Sequence, residues 1–282
     1  MPMSDASRRR VSHGGLVLPP IGFGTYALRG AEGERAVTEA IEAGYTLIDS
    51  AVNYENEGVV GRAVRAAARP REELIVTSKL PGRHHERAAA IATIEESLAR
   101  TGLDYLDLYL VHWPNPRTGR YVEAWQALVE ARERGLVRAI GVSNFLPEHL
   151  ERLERETGVL PEVNQIELHP FFPQREQLAV HERLGVLTQA WSPLARGMEL
   201  LSQPVLGRIA AAHGATPAQI VLAWHIGRGV IPLPKAATAA RRTENLAAAG
   251  LRLDEAEQAA VTALGRPDGR RKGQHPAEYE EF

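Results

Sequence analysis

The chain contains no cysteine. That excludes disulfides, thiol nucleophiles and cysteine-ligated zinc, and it removes any reason to expect an oxidising compartment. Long apolar runs are missing as well: no stretch approaches the ~20 residues that a membrane-spanning helix needs. The basic start, MPMSDASRRR, lacks the apolar centre of a secretory signal. An excess of one charge is also absent. The formal net charge is -2, which gives no electrostatic case for nucleic acid or for an anionic membrane. The expectation is a cytoplasmic protein without nucleic-acid or membrane partners, and nothing demands more than a monomer.

What is present is ordinary globular composition: of 282 residues, 44% are hydrophobic and 24% charged. Residues 1–10 read as disordered. VSHGGLVLP, two short apolar pieces around Gly14 and Gly15, reads as a β-hairpin. After it, short apolar runs alternate with longer segments of helical period. The runs are IGFGTY (21–26), YTLIDSA (45–51), LIVTSKL (74–80), DYLDLYLVHW (104–113), VRAIGVSNF (137–145), PEVNQIEL (161–168), VLTQAWSPL (186–194) and VIPLPKA (230–236). Apolar on both faces, they suit buried parallel strands. Eight βα units favour a closed barrel. Extra helical material lies between the seventh and eighth strands, and RLDEAEQAAVTALG reads as a further helix. The expected fold is therefore α/β: a (β/α)8 TIM barrel with an N-terminal β-hairpin and two extra helices. It forms one domain over 1–282, with a C-terminal loop at 266–282.

In such a barrel the C-terminal ends of the strands carry the chemistry. Asp49 ends the second strand, Lys79 the third, His112 the fourth, and Ser143 with Asn144 the fifth. Gln165 lies late in the sixth and Ser192 ends the seventh. Asp49, Lys79, His112 and Ser143 follow one another at roughly thirty residues, one βα unit apart. Their side chains should stand on neighbouring strands at one rim, with Tyr54 leaning over the same mouth.

Taken singly, each has a plain explanation. Lys79 could be a solvated loop charge, His112 a core histidine, Tyr54 packing, and Asp49 a helix N-cap. Together they form a coherent set. A phenol with a pKa of ~10 is a poor acid at neutral pH. A nearby ammonium lowers that pKa, and a carboxylate keeps the ammonium charged and oriented. An imidazole opposite can donate a hydrogen bond to a carbonyl oxygen. The set describes a proton donor, tuned by Lys79, beside an electrophile holder, and it suits carbonyl reduction.

GFGTY, IDSAVNYENE, TSKL, LYLVHWP, GVSNF, VNQIELHP, AWSPL and PKAATAARRTEN stand in this order over nearly the whole chain. On these motifs the sequence resembles the aldo-keto reductases. Their order, the short loops and the ending GQHPAEYEEF are most similar to the bacterial 2,5-diketo-D-gluconate reductases. The resemblance implies a catalytic tetrad of Asp49, Tyr54, Lys79 and His112, with NADPH (or NADP+) extended across the rim. It implies that Ser143, Asn144 and Gln165 hold the nicotinamide carboxamide while Trp191 stacks on the ring. Gly24 and Thr25 would lie near the cofactor, and Ser192 and Leu194 would meet the pyrophosphate. Lys235, Thr238 and Arg241 would meet the 2′-phosphate, with Glu244 and Asn245 near the adenine. Phe23, Tyr26 and Trp113 would wall the pocket of a small-molecule carbonyl substrate, and the tail after Pro267 would close one side. That substrate would be an aldehyde, a ketone or a keto-sugar acid such as 2,5-diketo-D-gluconate.

Cations at a helix start suit a dianionic phosphate on chemical grounds too, although a solvated basic helix start explains Lys235 and Arg241 equally well. Many relatives carry Ser directly after this Lys. Here it is Ala236, which removes a neutral hydrogen bond of roughly 0.5–1.5 kcal/mol, so some NADH use is expected beside NADPH. Two motifs mislead. GFGTYA with Asp49 downstream mimics a dinucleotide-binding fingerprint, but LVLPPI before it is broken by prolines. HHE at 84–86 lacks the second spacing of a zinc site, and no metal is expected. Two other functions stay open from the residues alone. One is a nucleotide-binding regulatory or sensor barrel with little turnover, which has no need of a tuned phenol. The other is a lyase or isomerase without nicotinamide.

Overall fold

Eight apolar segments separated by amphipathic helices must bury the segments on both sides and each helix along one stripe. A computed structural model of the chain, which describes residues 9–267 and 269–282, shows how this is met. Strands β3 (Phe23–Gly24), β4 (Leu47–Asp49), β5 (Ile75–Leu80), β6 (Leu106–Val111), β7 (Val137–Ser143), β8 (Val163–Glu167), β9 (Leu187–Trp191) and β10 (Ile231–Pro232) pair in chain order, all parallel. The sheet curls until its end strands meet. The Gly22 N–H donates to Pro232 O at 3.0 Å and the Gly24 N–H to Pro234 O at 3.1 Å. This layout is consistent with the expected (β/α)8 barrel.

Helices α1 (Gly30–Ala43), α2 (Glu57–Ala66), α3 (Arg87–Thr101), α4 (Tyr121–Glu133), α5 (Pro147–Thr157) and α6 (Arg175–Leu184) alternate with the strands. After β9 come α7 (Met198–Leu201), α8 (Pro204–Ala212) and α9 (Pro217–Gly227); after β10 come α10 (Ala239–Ala247) and α11 (Glu255–Thr262). α8 and α11 are the two additional helices, and α7 adds one turn. β1 (Arg10–Val11) and β2 (Val17–Leu18) form the antiparallel hairpin, with Arg10 opposite Leu18. Arg10 is thus ordered in a strand, which corrects the expected disorder at the end of 1–10; residues 1–8 lie outside the described residues. The described part of 266–282 carries no helix or strand. Among the described residues, no helix is long and apolar enough to cross a membrane.

The interior is graded. Inside the sheet, Leu47, Leu108, Leu110, Ala139, Val163, Ile231 and Leu233 pack together, and Leu18 of the hairpin completes that cluster. Two residues further along the same inward faces the side chains turn polar: Asp49 follows Leu47, and Gln165 follows Val163. In β4 and β8 the inner face is therefore apolar only in the first half, whereas in β6 Leu110 keeps it apolar up to the level of Lys79. Outside the sheet, Phe23, Val37, Tyr45, Ile94, Trp125 and Leu150 belong to the main core against α1 to α5.

Leu18 plugs the end of the sheet away from the polar layer. Leu18→Ala should cost roughly 2–5 kcal/mol, as a buried leucine truncation does, and a lowered urea midpoint would register it. The folded variant should keep its active-site behaviour, because the cavity left lies at the opposite end.

Candidate active site

IDSAVNYENE, residues 48–57, builds most of one site. Asp49 ends β4 facing inward. Lys79, in β5, is fully buried, and its Nζ lies 2.8 Å from each Asp49 oxygen and 2.7 Å from Ser50 O. Gln165 of β8 donates from Nε2 to Asp49 Oδ1 at 2.8 Å and to Gln189 Oε1 at 2.9 Å. The buried carboxylate therefore has donors from the neighbouring strand and from across the interior, which such a group requires.

The loop after β4 is pinned by a second buried residue, Asn56. Its Nδ2 donates to Thr25 O at 2.8 Å and to Leu28 O at 3.0 Å, while its Oδ1 accepts from the Ser50 hydroxyl at 2.7 Å. Glu57 is also buried and pairs with Arg100 at 2.6 Å. Between these anchors, Val52–Tyr54 forms a short 3-10 turn that ends at Glu55 with φ 54°. The turn lays Tyr54 over the ion pair. Lys79 Nζ is 4.9 Å from the centre of the Tyr54 ring. The His112 ring stands edge-on at 6.0 Å, and Tyr26 at 5.2 Å.

Desolvation pushes the Tyr54 phenol well above its ordinary range, Asp49, Glu281 and Tyr26 push it further, and Arg196 opposes them. The expected lowering by Lys79 is not found. That ammonium is turned onto Asp49 and Ser50, and it meets the face of the Tyr54 ring. Burial also lowers the pKa of Lys79 itself, against the pull of Asp49 and Glu281.

At the end of β7, the Ser143 hydroxyl donates to Gln165 O at 2.8 Å. Asn144, with φ 64°, donates to His112 O at 3.0 Å and accepts from Trp191 Nε1 at 2.7 Å. Ser192, after β9, has φ 49°. Such strained positions cluster at functional sites.

These elements border a cavity of about 690 Å³. Tyr26, Asp49, Tyr54, His112 and Trp113 line one part of it, with Gly24, Asn144, Gln165 and Trp191 beside them. Ser192, Leu194, Lys235 and Arg241 line the rest. Lys235 and Arg241 are exposed there. At Gly24 a Cβ would stand 2.8 Å from Leu233 O, so this glycine permits close strand packing.

Other expected residues lie outside the cavity lining. Phe23 is fully buried and packs on Tyr45 at 5.4 Å between ring centres, so it is a core residue, not a substrate wall. The cause is strand parity: Gly22 and Gly24 face inward, so Phe23 faces the helices. Thr25 donates to Asp49 O at 2.8 Å, behind the site. Thr238 caps α10, Glu244 accepts from the Thr216 hydroxyl, and Asn245 is buried. Ala236 is buried in the main core.

A model of the Aldo/keto reductase family matches residues 20–266. The chain belongs to the aldo/keto reductase family. It is 51% identical to 2,5-diketo-D-gluconic acid reductase B of Corynebacterium sp. (strain SHS752001), over 93% of this chain and 94% of the relative. It is 43% identical to the methylglyoxal reductase DkgA of Yersinia pestis, over 93% of this chain and 94% of that protein. Among solved structures, Gox0644 in its apo form superposes with a TM-score of 0.92 at 40% identity, covering 97% of this chain and 98% of that one. A mutant of Gox0644 in complex with NADPH gives 0.91 at 40% identity, with 96% and 98% covered. This aldo/keto reductase is accordingly an oxidoreductase.

Several polar side chains at or beneath the reductase's mouth carry no signal in the sequence. Asn53, Arg196, Lys272 and Glu281 line the cavity, and Gln189 supports Gln165. Arg196 lies in the loop after β9, 5.8 Å above the Tyr26 ring. Asn53 sits inside IDSAVNYENE, one residue before Tyr54, whereas the tail residues sit in a segment without periodicity.

Lys79→Met would leave Asp49 buried with Gln165 as its remaining side-chain donor. Breaking a buried pair this way should cost roughly 3–5 kcal/mol, read from urea unfolding, and turnover should be lost. Unchanged stability would show that the pair does not hold the carboxylate in place.

Proposed function

We propose that this aldo/keto reductase reduces a small carbonyl compound to an alcohol with NADPH, and that Tyr54 gives the proton. The observation that carries the reading is the Tyr54 ring, set over the buried Lys79–Asp49 pair and facing a cavity whose other part holds two exposed cations. NADPH, when bound, supplies the hydride.

The residues present fit that cofactor. Lys235 and Arg241 supply charge for a 2′-phosphate. Trp191 offers a flat face to the nicotinamide. Gln165 turns its amide hydrogens to Asp49 and Gln189, which leaves its Oε1 to accept from a carboxamide. Asn144 already uses both halves of its amide, so a carboxamide held by it takes over one of those bonds. Ala236 offers a 2′-phosphate no hydroxyl, so the preference for NADPH over NADH rests on the two cations.

The chemistry follows from the protonation state of Tyr54. A raised pKa keeps the phenol loaded at neutral pH. As hydride reaches the carbonyl carbon, the Tyr54 O–H bond breaks and its proton goes to the oxygen; the phenolate then recovers a proton from water. His112 orients the oxygen from the side, a task that preorganised donors perform with little rearrangement. Tyr26 and Trp113 wall the substrate end, which suits compounds as small as methylglyoxal, and a keto-sugar acid is the larger alternative. The names of the relatives span both.

Tyr54→Phe should reduce NADPH oxidation with methylglyoxal by at least about 10²-fold, the scale of a positioned acid. Quenching of tryptophan fluorescence by NADPH should persist. Turnover near wild type would remove Tyr54 from the chemistry. Separately, Arg241→Ala should weaken NADPH by about tenfold or more relative to NADH, the worth of a charged phosphate contact. Equal losses would place the 2′-phosphate elsewhere.

A further inference from the structure

Glu281 has no part in the chemistry above, yet its carboxylate reaches the same rim. Its side chain is 9% exposed, and Oε1 lies 2.8 Å from His112 Nδ1. Oε1 also accepts from Asn53 Nδ2 at 2.9 Å, and Oε2 from the Gly82 N–H at 3.2 Å. Asn115 clamps the backbone: its Nδ2 donates to Glu281 O at 2.7 Å, and the Glu281 N–H donates to its Oδ1 at 3.0 Å.

The neighbours dock independently. Glu280 accepts from the Arg117 N–H at 2.7 Å and from the Thr118 hydroxyl at 2.6 Å. The Tyr279 ring packs on Trp113 with 4.5 Å between centres. The segment is thus anchored without the Glu281 side chain. Burying a carboxylate is costly unless it is paired, and here the titratable partner it meets is the histidine of the cavity.

Resting on the carbonyl-reductase reading, we propose that Glu281 is a positioning residue of the reducing site, which fixes the His112 ring through Nδ1 and leaves Nε2 for the carbonyl oxygen. Glu281 acts through His112. The contact is an ion pair when the ring is protonated, at 2.8 Å between Nδ1 and the carboxylate. With a proton on Nδ1, Nε2 has one to donate only in the doubly protonated ring, and it is that form which a carboxylate at Nδ1 holds against a ring flip. Burial works to raise the Glu281 carboxyl, but His112, Asn53 and the Gly82 N–H outweigh it and hold the group below the usual carboxylate range.

The same charge acts on the proton donor. Around Tyr54 stand Asp49 from β4, Lys79 from β5, His112 after β6, Tyr26 after β3, Arg196 after β9, and Glu281. Desolvation is the largest cause of the raised phenol pKa, followed by Asp49 and then Glu281. Removing the Glu281 charge therefore lowers the phenol's pKa. Reduction needs the protonated phenol, so its alkaline limit moves to lower pH.

The test is Glu281→Gln in the full chain, assayed with NADPH and methylglyoxal. Expected are a fall in kcat of about tenfold or more, an unchanged Kd for NADPH, and an alkaline limb at lower pH. Glu281→Asp keeps the charge one methylene further back; it should leave the limb in place and recover part of kcat. Wild-type kcat and pH profile in Glu281→Gln would reduce the residue to a tail anchor and overturn the proposal. Ring ¹⁵N shifts of His112, assigned by difference against His112→Gln, give a readout without turnover. A proton on Nδ1 that weakens in Glu281→Gln supports the contact, and no change between the two proteins refutes it. If the wild type reduces no carbonyl while the ¹⁵N difference is seen, the reductase reading fails and the Glu281 hold on the ring stands.

Discussion

The site rests on a charge pair kept from water. Burying Lys79 and Asp49 together is tolerable because each is saturated: the ammonium by two carboxylate oxygens and Ser50 O, the carboxylate by Lys79 and Gln165. Such pairs are weak sources of stability, but they punish the loss of one partner. Here the pair also fixes geometry. Through Gln165 and Gln189 it links β4, β5, β8 and β9 in one polar layer above the leucine and valine layer. Tyr54 can be aimed only because its loop starts at this layer and is tied back to it by Asn56.

The pair acts differently from what elementary electrostatics first suggests. A cation near a phenol should make it more acidic, but the cation here is bound to an anion at the same distance scale. What reaches Tyr54 is dominated by desolvation and by the carboxylates of Asp49 and Glu281. The function of Lys79 is then to allow a carboxylate inside the sheet at all. The phenol above is neutral, partly buried and fixed, which suits a group that must hold a proton until a carbonyl arrives.

Much of this was legible in the chain. The eight strands announce themselves as apolar runs, and polar residues at run ends stand out because buried strands otherwise avoid them. Asp49, Lys79, His112 and Gln165 could be placed on one rim from spacing alone. Phe23 could not, because in a strand of two residues bracketed by Gly22 and Gly24, parity decides which side is inward, and the sequence carries little sign of it. Arg10 looked like part of a polar leader, but it pairs with Leu18 across the hairpin. Glu281 was invisible for another reason. Its partners, Asn53, Gly82, His112 and Asn115, lie on three separate loops, and the segment around it has no period to betray a fold.

The raised phenol has a consequence for the opposite reaction. In the proposed mechanism, oxidising an alcohol requires residue 54 as a base, already stripped of its hydrogen. An environment of desolvation and nearby anions makes that form scarce in neutral solution. The protein would then run as a valve. Alcohol would turn back into aldehyde or ketone at a useful rate only under strongly basic conditions, however much NADP+ was supplied.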